Sequence, residues 1–312
     1  MVTLKEILAI QTESGQEWRM FARIIRELKK MEGVHYTADH LGNIYVSKGD
    51  APSFPCIVAH MDSVHDIAED LHVLEFNGML TGFNRHTMKQ TGIGGDDKVG
   101  IYIALKCLEK FPVMKCAFFV SEETGCVGSG DCDMTFFNDC RFVLQADRRG
   151  SKDFITTAGS VELSGKEFQD AVKSYTTKRG FSFATGMMTD VQELKRRGLP
   201  VACANVSCGY HRPHQSDEFV VVRQVENTLA LFRDIISNCT EVYGHTYTPI
   251  QYKSYQWNND FADWNKKAVQ SSKAVQSPKM ETCDCCTNSV QYVKWSAQYN
   301  IFMCEACTGD YA

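Results

Sequence analysis

The sequence lacks any apolar run long enough to span a bilayer. Residues 1–10 also lack the charged n-region, the apolar h-region and the small-residue cleavage site of a secretory signal. Positive charge is not in excess: Lys and Arg number 33 against 38 Asp and Glu, a formal net charge of -5 that argues against a nucleic-acid surface. The expectation is a soluble, cytoplasmic chain without membrane or nucleic-acid partners. Fourteen cysteines without an export signal then point to a reducing compartment, where thiols stay free or bind metal. Nine of them are scattered singly before residue 240 and are expected to be small buried core residues.

The 312 residues suffice for one substantial domain with an appendage. Thr3-x-x-Glu6 and Ser14-x-x-Glu17 are capping-box patterns, and the second precedes an apolar stripe, Trp18, Phe21, Ile25 and Leu28, that predicts a helix over about 15–30. Runs at 43–46, 55–59, 116–120, 141–145 and 201–206 read as strands, and those at 99–108, 166–174, 191–197 and 222–236 read as helices. This alternation predicts a three-layer α/β/α sandwich around a mixed, largely parallel sheet. Composition divides the chain into a main domain over 1–240, an extension and linker over 241–282, and a cysteine-rich tail over 283–312. A short KAVQS repeat near residue 270 reads as linker drift.

Functional groups in such sheets collect on loops beyond the carboxyl ends of strands. After 55–59 comes His60-Met61-Asp62, and after a glycine-rich loop come Asp96 and Asp97. Glu122 and Glu123 follow 116–120, Asp147 follows 141–145, and Tyr210-His211-Arg212-Pro213-His214 follows 201–206. Each motif alone has an ordinary reading: a surface pair, a helix start, an N-cap. Their joint occurrence, each after a strand, points to a metal centre of histidines and carboxylates suited to zinc, manganese or cobalt. Water activation is the chemistry such a centre performs. Arg148, Arg149 and Arg212 beside these positions would either hold a substrate carboxylate or balance the acidic cluster. Asp190 reads as a site neighbour or as a helix N-cap. His35, His40, His65, His72, His86 and His245 have no such partners and are expected to be structural or surface residues.

Taken in order, His60-x-Asp62, Gly95-Asp96-Asp97-Lys98, Glu122-Glu123, Asp147 and His214 resemble the co-catalytic dinuclear zinc exopeptidases, a clan that includes peptidase T and several aminopeptidases. The resemblance covers about residues 1–240. It implies the zinc exopeptidase fold and two catalytic zinc ions, for which cobalt or manganese could stand in. His60 would bind one ion with Asp62 orienting its ring, Asp96 would bridge both, and Glu123 and Asp147 would each complete a different shell. His214 closes the second site, because it lies four residues before Glu218; His211 fits that spacing less well. A hydroxide bridging the ions would attack the amide carbonyl, with Glu122 as general base returning the proton to the leaving amine. One departure stands out: the peptidase T and carboxypeptidase branches insert a lid domain before the final histidine, whereas only 66 residues separate Asp147 from His214. A catalytic domain without a lid is expected.

In the tail, Cys283-x-x-Cys286 and Cys304-x-x-Cys307 are separated by 17 residues, the spacing of a zinc ribbon. The four thiolates would hold one structural zinc, with an aromatic hairpin between the knuckles and Cys285 as an alternative ligand. A ribbon could bind a protein partner. The leading functional expectation is an aminopeptidase or di/tripeptidase acting on a small peptide. Alternatives are an N-acyl amino acid amidohydrolase and a non-catalytic metal-binding adaptor working through the ribbon.

Overall fold

The computed structural model describes residues 2–68 and 70–248, together with the short strands 281–282, 289–290, 294–296 and 301–303. The chain opens with α1 (Leu4–Leu8), α2 (Trp18–Leu28), β1 (Val34–Ala38), β2 (Ile44–Lys48) and β3 (Phe54–His60). Next come β4 (Leu71–Phe76), β5 (Met79–Asn84), β6 (Lys89–Thr91), α3 (Gly95–Lys110), β7 (Met114–Phe119) and α4 (Val127–Gly130). They are followed by β8 (Cys140–Arg148), β9 (Asp153–Ala158), β10 (Val161–Glu162), α5 (Lys166–Lys178), β11 (Ser182–Gly186) and α6 (Asp190–Arg196). Last are β12 (Cys203–Ser207), β13 (Tyr210–His211), β14 (Phe219–Val221) and α7 (Val222–Asn238).

Nine strands form the main sheet in the order β1-β2-β7-β3-β8-β12-β9-β10, with β11 also paired to β9. The central neighbours β7, β3, β8 and β12 run parallel, and β2 and β9 join them antiparallel, so the sheet is mixed with a parallel centre. Every residue of β3 and of β7 is buried. Side chains alternate between two cores: Ile57, Ala59, Cys116 and Phe118 pack with Val99, Ile103, Phe232 and Ile235, while Cys56, Val58, Ala117 and Phe119 pack with Phe137, Val191 and Leu194. Helices therefore cover both faces, as continuous apolar strands require. The nine cysteines before residue 240 are all buried and free.

Thr3 caps α1 with the reciprocal bonds to Glu6 that its pattern predicts. Ser14 and Glu17 do not cap α2: Glu17 makes no side-chain cap bond and instead accepts from the backbone of Gly15 and Ser121, while Ser14 bonds Asp62. The segment expected to be too short for a lid builds β9–β12, α5 and α6, all part of the main sandwich. A second sheet, β13-β14-β5-β4 with β6 on β5, adds strands beyond those expected from the apolar runs. It stitches the residues after β3 to the segment that follows His214.

Asn43 ties the entry of β2 to the loop that carries the acidic pair. Its Oδ1 accepts from Val120 N (3.1 Å) and its Nδ2 donates to Gly128 O (3.0 Å), all buried. Asn43→Ala leaves both backbone groups without partners. The expected loss is about 2–4 kcal/mol of unfolding free energy, measured as a lower denaturant midpoint at unchanged slope.

Residues 1–247 form one compact unit and residues 248–312, which include the cysteine tail, a second. Glu281–Thr282 pairs antiparallel with Ser289–Val290, and Lys294–Ser296 with Ile301–Met303. Cys283, Cys285, Cys286, Cys304 and Cys307 lie outside the described residues. Among the described residues no helix is long and apolar enough to cross a membrane.

Candidate metal centre

The parallel strands deliver the acidic and histidine side chains to one edge. His60 is the last residue of β3, Glu122 and Glu123 follow β7, Asp147 lies near the end of β8, and His214 lies in the loop between β13 and β14. Asp96 comes from the start of α3, entered through Gly94, whose φ of 64° is left-handed. A Cβ on Gly95 would stand 2.8 Å from both Tyr210 Cβ and Val220 Cγ2, so this approach needs glycine.

Asp96 occupies the middle. Its Oδ1 is 3.2 Å from His60 Nε2, and its Oδ2 is 3.5 Å from His214 Nε2. On one side His60 Nε2 is also 3.6 Å from Asp147 Oδ1; on the other, His214 Nε2 is 3.1 Å from Glu123 Oε2. Two groups able to hold a cation therefore share one carboxylate: His60, Asp96 and Asp147, and Asp96, Glu123 and His214. A third grouping joins His60 to Glu122 and Glu123.

Donor spacing tests the fit. A tetrahedral zinc with bonds of about 2.0–2.2 Å sets its ligand atoms roughly 3.3–3.6 Å apart. The four separations, 3.1 to 3.6 Å, bracket that value. Glu123 Oε1 is buried with no hydrogen-bond partner, a costly state for a carboxylate that a cation would relieve.

Asp62 sits beneath this layer. Its Oδ1 lies 3.3 Å from His60 Nδ1 and accepts from Glu122 N (2.9 Å), while Oδ2 accepts from Ser14 Oγ (2.7 Å) and Glu123 N (3.1 Å). One buried carboxylate thus faces the His60 ring and holds the loop of the acidic pair. Burial opposes its charge, but His60 and Ser14 hold its pKa below the usual value.

Asp97, also buried, accepts from His60 N and Gly100 N. Its peptide bond with Asp96 is cis. Glu218, fully buried, accepts from Ile93 N (3.1 Å), Gly94 N (2.7 Å) and Asp96 N (3.3 Å), and His65 Nε2 lies 2.9 Å from its Oε2. Glu218 therefore holds the Asp96 loop in place, and His65, assigned no partner from the sequence, has this one.

His211 bonds Gln224 Oε1 (2.6 Å) and stacks on Phe219, leaving His214 as the imidazole beside Asp96 and Glu123. Arg148 pairs with Asp153 (3.3 Å) and Arg212 with Asp217 (2.7 Å), neither of them a carboxylate of the centre. Asp190 makes no N-cap bond: it accepts from Ser129 Oγ (2.6 Å) and Gln145 Nε2 (3.0 Å), and burial pushes its carboxyl up to about 6.

Burial alone would lower the pKa of both imidazoles, but the carboxylates win. Asp147, Asp62 and Asp96 raise His60 well above its ordinary value, and Asp96 and Glu123 push His214 up to about 10. The carboxylates thus favour the protonated form of both rings when no metal is bound, and a cation has to compete with those protons. Divalent-ion binding is expected to tighten between about pH 6 and 8, by up to about tenfold per pH unit for each proton displaced. Calorimetric titration in buffers of differing ionisation enthalpy checks this; heats independent of the buffer would refute it.

A strand-edge cluster of two histidines and three carboxylates, one of them shared, defines a candidate dinuclear metal centre. Comparison with known proteins gives the second step. No family model matches the sequence, and no curated protein matches it. Among solved structures, the aminopeptidase PepT of Bacillus cereus superposes with a TM-score of 0.63 at 13% identity, over 75% of this chain and 96% of that one. A tripeptidase of Staphylococcus aureus gives 0.59 at 13% identity, over 75% and 96%. A Thermotoga maritima protein described as an endoglucanase gives 0.53 at 14% identity, over 76% and 97%. The chain has the fold of these proteins, and that fold carries more than one described activity.

Proposed function

We propose that the chain is a metal-dependent exopeptidase, an aminopeptidase or di/tripeptidase that hydrolyses a small peptide. The observation that carries the reading is Asp96, whose two oxygens face two separate pairs of donors at ligand spacing. His60, Asp96 and Asp147 would hold one divalent ion, and Asp96, Glu123 and His214 the other. Such a pair, when bound, polarises the scissile carbonyl and acidifies a shared water.

The chain's own residues do the rest. Glu122 Oε2 lies 4.0 Å from His60 Nε2. Burial, and then the charges of Asp147 and Glu123, raise its carboxyl pKa well above the usual range, which suits a group that takes a proton and later returns it. Glu122 takes the proton of the attacking water and delivers it to the leaving amine. Asp62 holds the backbone of Glu122 and Glu123 and places its charge beside the His60 ring.

The test is turnover of di- and tripeptides with free amino ends by chelator-treated protein resupplied with zinc, cobalt or manganese. Metal-dependent cleavage releasing the amino-terminal residue supports the reading. Cleavage of N-acyl amino acids alone, or no metal dependence, overturns it.

For the tail we propose that Cys283, Cys286, Cys304 and Cys307 hold a structural zinc. Metal analysis of a Cys283→Ser, Cys304→Ser double variant is expected to show one zinc fewer per chain than the parent. An unchanged zinc content would refute it.

A further inference from the structure

Deepening the metal reading above, and resting on it, we propose that Thr189 and Gln145 clamp one oxygen of Asp147 and so make the His60 side of the centre the tighter of its two cation sites. Asp147 Oδ2 is 3.1 Å from Thr189 Oγ1 and 3.2 Å from Gln145 Nε2. Asp147 Oδ1 is left facing His60 Nε2, 3.6 Å away, with the Tyr210 hydroxyl at 3.4 Å. The carboxylate thus offers a single oxygen to the cluster.

The direction of these bonds is fixed by two backbone N–H groups, which can only donate. Val191 N donates to Gln145 Oε1 (3.1 Å), so Gln145 Nε2 turns toward the two carboxylates and gives one proton to Asp147 and the other to Asp190 Oδ2 (3.0 Å). Asp147 N donates to Asn205 Oδ1 (2.9 Å), so Asn205 Nδ2 turns toward Asp147 O (2.8 Å) and Thr189 Oγ1 (3.0 Å). Thr189, receiving a proton from Asn205, points its own between Gln145 Oε1 (2.6 Å) and Asp147 Oδ2. Gln145, Thr189, Asp190 and Asn205 are all buried, so water does not compete for these bonds.

The other side of the centre has no such layer. The His214 side chain is 37% exposed against 1% for His60, and among the described residues no buried hydrogen-bond donor backs the Glu123 carboxylate. His214 also stands at a φ of 62°, a conformation that costs energy in a residue with a Cβ. Ligands held in position by buried partners lose less freedom on binding an ion, and removing such partners costs about 10–100-fold in affinity. The two sides are therefore built to different affinities, with Thr189 and Gln145 as positioning residues.

Titration of the full-length protein with Mn2+, followed through the paramagnetic resonance of the free ion, tests this. Manganese favours carboxylate and imidazole over thiolate, so the cysteine tail does not contribute. The parent protein is expected to show two classes of site. Thr189→Val, nearly isosteric and without the hydroxyl, weakens the tighter class by about 10–100-fold while the weaker class stays put, and Thr189→Ser restores it. Gln145→Leu acts in the same direction, and His214→Ala removes only the weaker class. Two equal sites in the parent, or a Thr189→Val protein that keeps its thermal midpoint and binds as the parent does, would overturn the clamp and leave the metal reading standing. No Mn2+ uptake by the parent would overturn both.

Discussion

Replacing Glu122 with glutamine is expected to lower kcat on a cleaved peptide by about 10²–10⁴-fold while leaving the bound metal content unchanged. The substitution keeps the size of the side chain and the backbone N–H that Glu122 gives to Asp62, so the loop geometry survives. It removes only the ability to take a proton. Burial and the neighbouring carboxylates raise the Glu122 pKa above its ordinary value, so the native group accepts a proton more readily than a free carboxylate does. Because Glu122 also groups with His60 and Glu123 at ligand distance, a ligand role has to be separated from a proton-transfer role. Metal analysis beside steady-state kinetics does so: loss of a metal ion together with activity makes Glu122 a ligand, and full turnover makes it neither.

Much of this centre is legible because its residues lie where strand geometry puts functional groups. His60, Glu122, Glu123 and Asp147 each end or follow a parallel strand, and the apolar runs that mark those strands are short, continuous and punctuated. The groups that hold them were not legible. Gln145, Thr189 and Asn205 meet around Asp147 from three different elements, and no local pattern announces a contact between residues 147 and 205. Glu218 served as a spacing marker for His214, yet it holds the Asp96 loop from more than a hundred residues away. Ser14 looked like a cap because Ser-x-x-Glu before an apolar stripe usually is one; its hydroxyl instead bonds a carboxylate 48 residues on.

The β4–β5 hairpin is a different case, since its signal was present. Asn77-Gly78 sits between Phe76 and Met79, which pair across the turn, and both turn residues have positive φ, 49° and 75°. Asn-Gly flanked by alternating apolar residues is the strongest local mark of a two-residue hairpin. The hairpin bears on the centre because β14 adds to β5, placing Phe219 and Val220 opposite Thr81 and Leu80, and Thr81 Oγ1 donates to Glu218 O (3.1 Å). Pairing of β14 with β5 thus seats Glu218, and Glu218 seats Asp96.

Asp96→Ala is expected to weaken cation binding on both sides of the centre at once, by more than about 100-fold, and to reduce peptide cleavage to background. The bound follows from scale: losing a partner behind a ligand already costs about 10–100-fold, and Asp96 is itself a shared ligand. Without it, one side keeps His60 and Asp147 and the other Glu123 and His214, too few donors to close a four-coordinate shell. Folding is not expected to suffer, because Glu218 bonds the backbone N–H of Asp96 and the side chain faces the cluster. His214→Ala is the control, since it removes one donor from one side only. If Asp96→Ala weakened a single class of site in a manganese titration and left the other at parent affinity, Asp96 would not be a bridge, and the two groups of ligands would be independent sites that happen to adjoin.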